Sequence, residues 1–104
     1  MTSQELSKMR EAMILANNYA MTFAYVEDSG SCNLDHPIIK INRLTKKQAE
    51  SLPLQVSKRY NDGGWWSVHC ALYGQALRRT MMAEAFARKM SELGFKCMVD
   101  YMMD

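Results

Sequence analysis

Residues 65–103, WWSVHCALYGQALRRTMMAEAFARKMSELGFKCMVDYMM, read as strand, helix, strand. Residues 65–73 are rich in aromatic and β-branched side chains, which suit a pleated, half-buried surface. Gly74 punctuates them. Residues 75–93 form the longest helical pattern, with Leu77, Met82, Phe86, Met90 and Leu93 as its apolar stripe. That stripe puts Phe86 and Met90 in a core and leaves Arg79 and Lys89 in water. Gly94 stands where a C-terminal glycine cap belongs. From residue 95 the period changes to two, Phe95, Cys97, Val99 and Tyr101 alternating with Lys96, Met98, Asp100 and Met102. If the two strands are neighbours, they run parallel through a right-handed crossover.

Toward the N-terminus, Asn61, Asp62, Gly63 and Gly64 form the clearest turn. Residues 54–60 are ambiguous between helix and irregular chain. Residues 44–52 read as a helix. Thr45 and Gln48 have capping-box spacing, Leu44 is placed to staple onto Ala49, and Pro53 stops the helix. Residues 38–42 read as a short strand, preceded by the turn formers of EDSGSCNLDHP. Residues 19–27, YAMTFAYVE, have the composition of a strand, which would pair with 38–42 as a long-looped hairpin. Residues 2–18 read as a helix, with Thr2 and Glu5 at capping-box spacing and Leu6, Met9, Met13 and Ala16 as its stripe. Asn17 and Asn18 are its expected terminators. The order is α-β-β-α-β-α-β over a single globular domain, residues 1–104. The expected fold class is α+β, a two-layer sandwich whose four-stranded mixed sheet carries helices mainly on one face.

The chain has 104 residues, 48% of them apolar, so one ordinary core is feasible. A net charge of +2 neither demands an anionic partner nor excludes one. The cysteines, Cys32, Cys70 and Cys97, are odd in number and scattered, so they are expected to be reduced and metal-free. No signal-like or membrane-spanning run is visible, which leads to a cytoplasmic expectation with no membrane partner. Ten methionines are many for this length. They act either as gap-fillers of a small core or as an adaptable binding surface.

Chemistry-bearing residues do not converge in the sequence. His69 and Cys70 are adjacent on a strand and face opposite ways, so they do not share an ion or act as a dyad. Cys32 and His36 are four apart on a loop without further ligands at metal spacing. Asp62-Gly63-Gly64 lacks the lysine and helix start of a phosphate loop. The expectation is no enzyme, no cofactor and no metal. Basic residues come in doublets, Lys46–Lys47, Lys58–Arg59, Arg78–Arg79 and Arg88–Lys89. They form either a phosphate-contacting surface or the solvated sides of amphipathic helices.

Trp65 and Trp66 are adjacent on a strand, so one points to each sheet face. With helices on one face, at least one tryptophan stands on the other. Tryptophan is a frequent interface anchor. The candidate partner-binding site is therefore Trp65 and Trp66 with Tyr60, Lys58 and Arg59. The expected function is a small non-enzymatic protein–protein interaction module, an inhibitor or regulator of a larger partner, of the accessory type encoded by phages and mobile elements. The alternative is a nucleic-acid-binding module using the doublets and exposed aromatics, since basic residues beside aromatics suit single strands. A homodimer through an exposed strand edge is also expected.

Overall fold

A computed structural model describes residues 1–25, 34–59, 63–69 and 76–102. The elements are α1 (Ser3–Met21), β1 (His36–Lys40), α2 (Lys46–Glu50), β2 (Gln55–Lys58), β3 (Trp65–His69), α3 (Ala76–Glu92) and β4 (Cys97–Asp100). The architecture is α+β, with one four-stranded sheet in the order β2-β3-β1-β4.

One expectation about the sheet is corrected. Every neighbouring pair is antiparallel, so the sheet is not mixed. β3 and β4 do run parallel, but β1 lies between them and is antiparallel to both. The βαββαβ run with this strand order is the split βαβ arrangement.

The strand expected over residues 19–27, and its hairpin, are also corrected. Tyr19, Ala20 and Met21 are the last turn of α1, and the chain then turns through Tyr25. Ala20 is buried in continuation of Met9, Met13 and Ala16, at helical spacings of four, three and four. Tyr19 and Phe23 meet edge to face at 5.5 Å, as i and i+4 positions do. Asn17 and Asn18 lie inside the helix. The missing strand is replaced by β2, from the stretch that had read as ambiguous.

Local chemistry explains the element ends. The Thr2 hydroxyl accepts the Glu5 amide at 3.1 Å. Thr45 and Gln48 form the full reciprocal box ahead of α2. Gly94, at φ +94°, closes α3: the Phe95 amide reaches the Met90 carbonyl and the Gly94 amide the Ser91 carbonyl. That pair of bonds is the Schellman motif.

One core joins α1, α3 and one sheet face. It contains Met9, Met13, Met82, Phe86 and Met90 from the helices with Ile39, Val68 and Cys97 from the strands. Among the described residues four methionines are buried in the core, while Met98 and Met102 are exposed. Arg79 and Lys89 are half-buried, not solvated as expected, and Leu77 and Leu93 are exposed. Asp35, 6% exposed, ties three elements together. It accepts from the Thr80 hydroxyl at 2.6 Å and the Met102 amide at 2.9 Å, while its carbonyl accepts from Arg79 Nε.

Candidate functional site

Strand alternation sorts the candidate residues onto two surfaces. Lys58 pairs with Trp66, and Val56 with Val68, in the β2–β3 register. Directly opposed residues share a face, so all four belong to the face that carries the helices. Gln55, Ser57, Trp65, Ser67 and His69 take the other face, with His36, Ile38 and Lys40 of β1 and Met98 and Asp100 of β4. No helix among the described residues packs on that second face, here called the open face.

The two tryptophans therefore diverge, as adjacent strand residues must, and both are half-buried. Trp66 packs on the rim of the core. It also lines a groove of about 660 Å³ between α2 and β2, with Leu44, Leu52, Leu54, Val56 and the exposed Lys58. Trp65 lies on the open face beneath Lys96, whose Nζ sits 5.9 Å from the ring centroid. Arg59 also reaches the open face. Tyr60 lies outside the described residues, as do Cys32 and Cys70. Cys97 is buried in the core.

Sequence reading did not anticipate the polar chain that crosses the open face. Arg59 Nη1 donates to Asp100 Oδ2 at 2.8 Å and to Ser67 Oγ at 3.4 Å. His36 Nε2 is 3.1 Å from Ser67 Oγ, and His36 Nδ1 is 2.9 Å from the Leu34 carbonyl. A carbonyl only accepts, so Nδ1 carries a proton, and in the neutral ring Nε2 accepts from the Ser67 hydroxyl. With the ring neutral, the order of donation runs from Arg59 to Ser67 to His36 to Leu34. Next to it, Ser57 Oγ and His69 Nε2 are 2.7 Å apart. The available signal was the two-residue period of Ser57-Lys58-Arg59 and Ser67-Val68-His69. It showed which side chains share a face, but not that β1 and β4 would complete the row.

These groups satisfy one another, and among the described residues no three of His, Cys, Asp and Glu converge for a metal ion. The basic doublets do not form one patch. Arg79 is engaged with the Asp35 carbonyl, and Arg88 and Lys89 lie over the Tyr19 ring at 5.6 and 5.3 Å. No described helix is long and apolar enough to cross a membrane. Compared with protein-family models, curated proteins and solved structures, the chain matches none of them.

Proposed function

We propose that the protein is a non-enzymatic binding module that captures an extended segment of a larger protein along β2 and thereby regulates or inhibits it. The observation that supports this reading is the groove lined by Trp66 and Lys58 beside a terminal strand. A terminal strand offers backbone donors and acceptors to an added strand, which supplies affinity, while a flanking pocket selects side chains. Leu52, Leu54, Val56 and Trp66 provide the apolar floor. Lys46 and Lys58 outnumber the single carboxylate of the lining, Glu50, which favours a segment whose apolar anchor lies beside a carboxylate.

The test is a photo-crosslinking amino acid placed at Lys58 in the native host, with Arg88 on α3, outside the groove lining, as the control position. A discrete adduct with one protein is expected from position 58 only. It should be lost in the variant that also carries Leu54→Glu, with thermal melting used to confirm folding. Identical adduct patterns from both positions would remove the groove as the docking site.

A further inference from the structure

We infer that the open sheet face is a docking surface for single-stranded nucleic acid, separate from the groove and resting on different residues. Trp65 supplies the stacking platform. It pairs in register with Lys40 on β1, and Lys96 stands over its ring. A base needs a π-face to stack on and cations nearby to meet the phosphates on either side of it.

Charge on this face favours an anion. Its described strand residues and the adjoining Arg59 and Lys96 contribute three cations, Lys40, Arg59 and Lys96, against one carboxylate, Asp100. That carboxylate is already matched by Arg59. The remaining polar groups are the Gln55 amide and the hydroxyls and imidazoles of Ser57, Ser67, His36 and His69, spread over β2, β3 and β1. Hydroxyls and cationic side chains are the usual partners of phosphate and sugar oxygens. Imidazoles add hydrogen-bonding capacity beside them.

A protein partner fits this face less well. The centre of a protein interface is normally apolar. Among the described strand residues here, Met98 is the only large apolar side chain that is exposed. A duplex fits less well too, because its bases are already stacked on each other and unavailable to Trp65. The α3 doublets take no part, since they lie in the helical layer on the opposite side.

The experiment is fluorescence anisotropy of the whole chain with labelled oligo-dT and oligo-U of about 12 nucleotides, within the site size of one small module. Binding is expected to weaken linearly with the logarithm of salt. Lys40→Gln and Lys96→Gln should each reduce that slope by about 0.7. Trp65→Ala should weaken binding by about tenfold or more, and Trp65→Phe should recover most of the loss. Circular dichroism melts identify any variant that fails to fold, and the two lysine variants then decide. Arg88→Gln should change neither affinity nor slope. Four results would overturn the inference: no binding at the lowest salt, equal affinity for a duplex, equal competition by polyglutamate, or binding indifferent to Trp65, Lys40 and Lys96. None of them bears on the groove.

Discussion

Phe86 has no exposed surface and shares the core with Met9, Met13, Ile39 and Val68. Phe86→Ala should therefore destabilise by about 3–5 kcal/mol in denaturant unfolding, the sum of lost transfer energy and the cavity left behind. A loss under about 1 kcal/mol would place the ring outside the core. Periodicity was enough to find Phe86 and Met90, but it misjudged their neighbours for geometric reasons. Leu77 is five positions before Met82, about 140° around the helix, so it never belonged to the stripe. Arg79 is two turns before Phe86 and on the same side, which is why it is half-buried and reaches Asp35. Asp35 itself was not legible as a tie. Its partners Thr80 and Met102 are 45 and 67 residues away, and no local pattern encodes such pairs.

At the scale of elements, composition and tertiary packing disagree in residues 19–27. Aromatic and β-branched residues there favour a strand, yet Ala16 and Ala20 extend the stripe that α1 packs against α3. Propensity is a weak prior beside that burial. β2 had the opposite problem: the sequence QVSK carries little signal, and pairing with β3 makes it a strand. Beyond the end of β4, Tyr101 is tied to α3 by donating its hydroxyl to Glu84 Oε2 at 2.7 Å. That bond, then slight desolvation and the nearby Glu84 and Asp35 charges, raises its pKa above the ordinary 10.0. The folded state thus holds the phenol proton more tightly than the unfolded chain does. The tie contributes fully below the ordinary tyrosine value and is lost as pH rises through the raised one. Subtracting the ultraviolet phenolate titration of Tyr101→Phe from that of the parent should isolate a high midpoint. Glu84→Gln should bring it down, and an unmoved midpoint would show that the bond is not its cause.

Across the whole molecule, the sheet ends in two edges of different character. The β2 edge is polar, with Gln55, Ser57 and Lys58 exposed, and a lysine on an edge discourages self-pairing. The β4 edge has exposed Met98, followed by exposed Tyr101 and Met102. Its inner side pairs with β1, and Leu34 continues that contact by donating its amide to the Met102 carbonyl at 2.8 Å. Among the described residues no strand lies on its outer side. An unpaired, apolar edge is the stronger template for a second copy, and two-fold pairing of β4 with β4 would make one continuous eight-stranded sheet, twice the four strands of one chain. Such pairing would set two open faces side by side and lengthen the nucleic-acid track while leaving both β2 grooves at the far ends. Light scattering over a concentration series should then show a mass rising toward about twice the 12.0 kDa of the chain. Hydrogen exchange should show protection of the β4 amides growing with concentration, while β2 amides stay unchanged. A mass that stays at one chain, or protection that grows at β2 instead, would rule out the β4 pairing and assign that edge to a different covering.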